Sequence, residues 1–269
     1  MVNHYFTTAF RHALRYKGHT FLNVFGLILG IASALLILIY VNQEISVDKF
    51  HTKSDRIVRL WRNMHQTSGE INTTPAIPQP MELVLENEIP QVDEVTLVSW
   101  EMNFPVRHEN HKSFYEGYYV SPEFFSIFSF NLIQGDQDRL FDNGESVVIT
   151  DEMARSVFGE DWDTEALGSS IILNGEELFT VTGIIKKPGS NSSFQFKLLL
   201  PVATFIAQND WVESWDNGGF RMYMTLHDRQ DFSKVQALVK DEVNKHIENA
   251  GDEKIFLQPF TEMYMYGSF

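Results

Sequence analysis

The chain has 269 residues, of which 43% are hydrophobic and 13% aromatic, including 22 phenylalanines. This composition supplies a sizeable core and excludes intrinsic disorder as the default state. No cysteine is present, which excludes disulfide scaffolds, thiolate nucleophiles, zinc ribbons and iron–sulfur clusters. With a net charge of −15 and no basic groove, the chain is a poor partner for nucleic acid.

Residues 20–43 contain no Lys, Arg, Asp or Glu. At 1.5 Å per residue, a helix of about 24 residues crosses a hydrocarbon core of roughly 30 Å. The Leu, Ile, Val and Phe side chains contribute about −4 to −8 kcal/mol to insertion, so we predict a transmembrane helix over 20–43. A cleaved signal peptide would have a shorter apolar region and a small-x-small cleavage site. A buried core helix, the other alternative, is seldom so uniformly apolar.

The segment before the helix, residues 1–19, carries Arg11, Arg15 and Lys17 and no carboxylate. The positive-inside rule places these residues at the cytoplasmic face of the inner membrane and the chain beyond about residue 45 outside the cytoplasm. We predict that the leader is a short amphipathic helix in the interface, with a disordered basic leader as the alternative. Its apolar residues at helical spacing are Phe6, Phe10, Ala13 and Leu14.

Small residues recur at four-residue spacing along the predicted span, at Gly26, Gly30 and Ala34. Helices in lipid associate by close backbone approach, and Gly-x-x-x-Gly provides a face for it. We therefore predict that these three residues pack the helix against other membrane helices. The alternative is that they reflect only the general frequency of glycine in membrane spans.

Beyond the span, residues 44–55 are predicted to form a stalk. A strand–helix–strand unit follows, with strands at 56–65 and 92–100 and a helix at 81–89. A second such unit occurs near the end of the chain, and its elements are a strand at 220–226, a helix at 231–247 and a strand at 254–260.

The two units predict an α+β fold, in which a split α/β part formed by 56–104 and 201–262 receives a β-rich insertion at 105–200. The pair Asn174–Gly175 is typical of a hairpin turn between two strands. The predicted elements of the insertion are a helix start capped by Ser121, a strand at 145–150, a helix capped by Asp151 and running to about 158, a hairpin at 170–185 and a strand at 194–201.

No sequence signature of catalysis is apparent. The P-loop, H-E-x-x-H, G-x-S-x-G and G-x-G-x-x-G motifs are all absent. His108 and His111 flank Glu109, but the surrounding residues predict two strands and a turn, which is a poor context for a metal site. Ser146 and His227 have no evident partner. We predict no catalytic residue, no metal site and no cofactor.

Several segments together resemble the ABC transporter permeases of the MacB/FtsX-like family. The opening of the chain shows a basic leader, a glycine-containing first membrane helix, then Phe50-His51 and Asp55-Arg56-Ile57. The segments that resemble the family's periplasmic core domain are VSPEFFSIFSFNLIQGD (120–136), SVVITDEMARSVFGED (146–161), LGSSIILNG (167–175) and VTGIIKKPGSNSSFQF (181–196).

The resemblance implies a porter-like split α/β domain, at 56–104 and 201–262, with an inserted β-rich subdomain. It also implies a permease subunit that couples ATP hydrolysis by a partner ABC ATPase to motions outside the cytoplasm, for efflux or mechanotransmission. The implied partners are the cytoplasmic ATPase, a second permease copy in a homo- or heterodimer, a periplasmic adaptor and membrane lipid. No ATPase activity is expected in this chain.

Members of the family have further membrane helices, whereas the sequence stops at Phe269. Residues 263–269 are therefore expected to start a return towards a missing second membrane helix, and the chain is expected to be truncated. An alternative hypothesis is a single-pass, membrane-anchored receptor or binding module. A membrane-anchored hydrolase is a third hypothesis, although no nucleophile–base pair supports it.

Overall fold

The computed structural model describes Thr7, Arg11 and residues 15–65, 69–247 and 253–267. The chain divides into two compact units, Met1–Ser46 and Val47–Phe269. The first unit contains helix α1 (Lys17–Ile45), whose 29 residues are apolar on every face and not buried. Within the described residues, α1 is the one helix long and apolar enough to cross a membrane. The apolar residues of the predicted leader helix, 6, 10, 13 and 14, lie outside the described residues.

The second unit is built on a sheet of twelve described strands. The strands are β1 (Ile57–His65), β2 (Ile71–Thr74), β3 (Val92–Val98), β4 (Met102–His108), β5 (His111–Val120), β6 (Leu132–Gly135), β7 (Ser146–Thr150), β8 (Ser170–Leu173), β9 (Glu177–Ile185), β10 (Leu198–Pro201), β11 (Arg221–Leu226) and β12 (Glu253–Pro259). The helices are α2 (Met81–Glu88), α3 (Phe124–Ile127), α4 (Asp151–Phe158), α5 (Trp162–Glu165), α6 (Val202–Gln208), α7 (Phe232–Val239) and α8 (Phe260–Tyr266).

Four strands form a split β-α-β arrangement in the order β3-β11-β1-β12. Strand β11 lies antiparallel between β1 and β3, which are joined through α2, so β1 and β3 run parallel. In the same way, β1 lies antiparallel between β11 and β12, which are joined through α7. The two strand–helix–strand units predicted from the sequence are therefore present and interleaved.

Six other strands pair in a closed ring, in the order β5-β4-β8-β9-β7-β10 and back to β5. The ring closes where β10 runs parallel to β5, with Leu198 opposite Gly117. It joins the split β-α-β strands through the pair Val98 and Val120. Closure leaves no free edges among these strands. The assignment of 105–200 as a separate subdomain stays a prediction.

Two hydrophobic cores lie on opposite faces of the strands, because alternate residues of a strand point to opposite sides. In β1, Val58 and Leu60 belong to the first core, which α2 and α7 cover, and Ile57 belongs to the second. The second, which we call the aromatic core, is dominated by ring side chains. They are Tyr118, Phe124, Phe128, Phe194, Phe196, Tyr223 and Phe260.

Two predicted elements are shorter in the structure. The helix predicted over 231–247 ends at Val239, because the Lys240 carbonyl accepts a hydrogen bond from the Ile255 N–H at 2.8 Å instead of continuing the helix. The strand predicted over 194–201 begins only at Leu198, since Phe194 and Phe196 are buried in the aromatic core.

Two predicted helix caps were wrong. Helix α4 is capped by Thr150, whose Oγ1 accepts from the Met153 N–H at 3.2 Å, and Asp151 is its first residue. The Ser121 hydroxyl instead accepts from the Leu97 N–H at 3.0 Å, so it stabilises β3 rather than α3. Both hydroxyls bond to the nearest buried backbone donor, and sequence spacing alone does not identify that donor.

The close approach of β5 and β10 at Gly117 allows the closure of the ring to be tested. A Cβ added at Gly117 would lie 2.3 Å from the Leu198 carbonyl oxygen, which is backbone and cannot move aside. Gly117→Ala should lower the free energy of unfolding by about 1–3 kcal/mol or more. The control Ser113→Ala, at an exposed position of the same strand, should change it by less than about 0.5 kcal/mol. Urea denaturation would measure both, and equal stabilities would contradict the close approach.

Candidate functional site

The residues predicted to pack α1 against other helices are all exposed on that helix. A Cβ added at Gly26 or Gly30 would meet no atom within 4 Å, and Ala34 is likewise uncovered. The face they form is therefore open within the first unit. Its role in helix association stays a prediction.

The three basic residues assigned to the membrane interface lie at the start of the first unit. Arg11 and Arg15 have helical backbone and exposed side chains, and Lys17 is the first residue of α1. Their position before the apolar helix agrees with the sequence argument. Their contact with lipid stays a prediction.

The histidines and the serine considered from the sequence have separate partners. His108 Nδ1 lies 3.0 Å from the Ser170 carbonyl oxygen, and His111 Nε2 lies 2.8 Å from the Tyr115 hydroxyl. Ser146 donates to the side chain of Asn143, whereas His227 lies beside Asp93. The described residues contain no group of three His, Cys, Asp or Glu side chains arranged to hold a metal.

The segment that follows α1 is held by buried polar groups rather than exposed as a stalk. We call residues 47–52 the docking segment. The Asp48 N–H donates to the Asn191 carbonyl at 2.8 Å, and Asp48 Oδ1 accepts from the Ser193 N–H at 2.7 Å. Asp48 is buried and has a positive φ of 60°, which Asp tolerates better than most residues. The predicted stalk at 44–55 is thus partly packed into the second unit.

Burial shifts the pKa values of two side chains in the docking segment. Burial raises the pKa of the Asp48 carboxyl, and the hydrogen bonds from Ser193 oppose that shift only in part. Burial also lowers the pKa of His51 to about 4, so this imidazole is neutral at pH 7. Its Nδ1 accepts from the Ser129 N–H at 3.0 Å, which places the ring proton on Nε2.

Both ends of the second unit pack on the aromatic core. The His51 ring centroid lies 5.2 Å from that of Phe128 and 5.7 Å from that of Phe260. Phe260 begins α8 and also contacts Tyr223, with ring centroids 5.9 Å apart. The docking segment and α8 therefore meet at one cluster of rings, which we take as the candidate functional site.

Beside this cluster lies a buried cation that the sequence argument did not identify. Arg59 lies over the rings of Trp61 and Tyr223, at 4.4 and 5.6 Å from their centroids. Its Nη1 lies 3.1 Å from the Met263 sulfur, and no carboxylate pairs with it among the described residues. Burial lowers the pKa of the guanidinium, and cation–π contacts offset part of that penalty. No signal in a single sequence separates this arginine from an exposed one.

A second titratable cluster lies at α2. Burial, with a further contribution from the neighbouring Glu86 and Glu123 carboxylates, raises the pKa of Glu82 to about 7. Gln79 donates to Glu82 at 3.3 Å and the Ser121 hydroxyl donates at 3.4 Å. These contacts connect α2 to Ser121, which directly follows β5. A change in the charge of Glu82 should therefore change the free energy of unfolding.

The fold and its elements define a class: a β-rich domain of periplasmic type that follows an apolar N-terminal helix. The family model for the MacB-like periplasmic core domain matches residues 20–242, and the chain belongs to this family. This is the periplasmic domain of ABC-type transporter permeases, as the sequence resemblance predicted. No curated protein shows significant similarity to the chain.

Solved structures share the fold at low sequence identity. A domain assigned to a permease protein from Porphyromonas gingivalis has a TM-score of 0.66 at 19% identity, over 78% of this chain and 92% of that one. The periplasmic region of MacB from Actinobacillus actinomycetemcomitans has a TM-score of 0.54 at 15% identity, over 78% and 91%. The extracellular domain of the noncanonic ABC-type transporter YknZ from Gram-positive bacteria has a TM-score of 0.53 at 12% identity, over 74% and 99%.

The docking segment predicts different outcomes for two substitutions of Asp48. Asp48→Ala removes the acceptor of a buried N–H and should lower the free energy of unfolding by about 1–3 kcal/mol. Asp48→Asn keeps an acceptor oxygen, tolerates the positive φ and removes a buried charge, so it should cost less. Chemical denaturation of the full chain in detergent would measure both. An Asn variant as unstable as the Ala variant would contradict this expectation.

The raised pKa of Glu82 predicts a pH-dependent stability. The folded state binds this proton more tightly than the unfolded state, whose pKa is near 4.5, so stability falls as pH rises from about 4.5 to 7. Glu82→Gln should therefore raise the melting temperature at pH 8 by about 2 °C or more, with a smaller gain at pH 5. Glu88→Gln, at an exposed position of α2, is the control. A gain of equal size at both pH values would contradict the assignment.

Proposed function

We propose that the chain is the membrane subunit of an ABC transporter, which couples ATP hydrolysis in a cytoplasmic partner ATPase to motions of the domain outside the cytoplasm, for efflux or mechanotransmission. The family membership and the apolar helix support the transporter assignment. In this proposal α1 spans the inner membrane, the basic leader lies in the cytoplasm, and the second unit lies in the periplasm or outside the cell.

The observation that carries the proposal is the anchoring of the docking segment. Asp48 follows the end of α1 by three residues and is fixed by two hydrogen bonds to the Asn191–Ser193 turn. In this proposal, a displacement at the end of α1 pulls on a segment that is anchored in the domain only three residues further along the chain. A tether to a passive binding module would not need buried polar anchors that cost free energy to desolvate.

Within the domain, we propose that the split β-α-β strands form the porter-like part, from 56–104 and 201–262, and that 105–200 is its inserted β-rich subdomain. The closed ring of strands supports this division, since a ring pairs mainly within itself. The other partners that we propose are a second permease copy and a periplasmic adaptor. Membrane lipid surrounds α1.

The role of the small-residue face can be tested in the permease expressed with its ATPase. Gly30→Leu adds a branched side chain to an open face that we propose to be covered by a neighbouring membrane helix. The yield of ATPase that co-purifies with the permease should fall severalfold. Ile37→Leu, elsewhere on α1, should leave the yield unchanged. Full recovery of the ATPase with Gly30→Leu would count against this packing role, and absence of any ATPase with the wild-type chain would overturn the proposed function.

A further inference from the structure

One loop of the acidic second unit carries lysines and no carboxylate. The chain has 36 Asp and Glu residues against 21 Lys and Arg, yet residues 186–197 contain three lysines and no carboxylate. Lys187 and Lys197 both pair with Glu152, whereas the exposed Lys186 has no ion pair with any described residue. This segment is therefore locally cationic.

The covalent chain keeps this loop near the end of α1. Asp48 bonds to Asn191 and Ser193, and it follows Ile45, the last residue of α1, by three positions. Three extended residues span at most about 11 Å. The covalent chain therefore limits the distance between the end of α1 and the residues bonded to Asp48, Asn191 and Ser193. In the proposed function, α1 spans the membrane.

The side chains around the loop have the character of a membrane interface. Phe50 is 40% exposed and contacts Phe130, with ring centroids 6.2 Å apart. Lys49 beside it is exposed and has no ion pair among the described residues. A cavity of about 290 Å³ opens between Phe50, Phe130 and Lys186. An exposed apolar ring beside exposed lysines matches the boundary between headgroups and acyl chains, where the ring is buried and the charged ends stay with the headgroups.

We propose that the surface formed by Lys49, Phe50 and Lys186, here called the basal face, docks on anionic lipid headgroups of the membrane that α1 spans. The lysines pair with headgroup phosphates, and the Phe50 ring inserts at the level of the headgroups. This contact would hold the acidic remainder of the domain away from the lipid. The inference rests on the membrane insertion in the proposed function but not on the partner ATPase.

The absence of cysteine allows a single reporter to be introduced. Ser190→Cys places a fluorophore in the exposed turn beside the basal face, and Glu176→Cys places one at the other end of β9. The two ends of β9 lie roughly 26 Å apart, and the two labels are placed beyond opposite ends of this strand. The full chain is incorporated into nanodiscs that carry a headgroup spin-labelled lipid as quencher, made either of phosphatidylcholine alone or with phosphatidylglycerol added.

Quenching at position 190 should be at least twofold stronger in the anionic discs, with little quenching at position 176. The charge reversals Lys49→Glu and Lys186→Glu together should reduce it to the level in phosphatidylcholine. The matched reversals Lys112→Glu and Lys234→Glu, at exposed lysines outside the basal face, should preserve it.

Three results would overturn the proposal: quenching that is equal in both lipids, quenching that is equal at both positions, or quenching that depends on the number of chains per disc. The last would indicate that a second copy covers the basal face. Failure of the chain to enter the discs would instead refute membrane insertion by α1. Loss of the partner ATPase would leave the quenching result unaffected.

Discussion

The second unit depends on one aromatic core that receives residues from distant parts of the chain. Phe128 and Phe194 come from loops, Tyr223 from a central strand and Phe260 from the first turn of α8. Their rings lie 4.9 to 6.1 Å apart, Phe128 and Phe194 in an edge-on contact and Phe194 and Phe260 in a stacked one. Because both ends of the unit contribute to this core, neither end can shift without disturbing the other.

Polar groups are buried against this core at some expense of stability. Asp48 Oδ2, His51 Nε2 and Arg59 Nε are buried and have no hydrogen-bond partner in the described part of the chain. Each such group carries a desolvation penalty, which apolar side chains of similar size would avoid. A domain selected only for stability would not concentrate them beside the segment that follows a membrane helix. Their position is better explained by the transmission of displacement that we propose.

The structural relatives show how little sequence identity this architecture requires. Identities of 12 to 19% accompany coverage of about three quarters of this chain or more. Cores of the right volume and patterning can be built from many different apolar side chains, so a fold can persist at such identities.

The sequence by itself determined the apolar helix, most strands and the family, because hydrophobic period, turn residues and local motifs are properties of neighbouring residues. The β4–β5 hairpin and the hairpin at Asn174–Gly175 were predicted on that ground and are present. The tertiary structure alone decided that Ser121 stabilises a strand, that α7 stops at Val239, and that Asp48, His51 and Arg59 are buried. Each of these outcomes depends on a partner at least 15 residues away, such as Ile255 for Lys240 or Ser193 for Asp48, and local patterns carry no information about such partners.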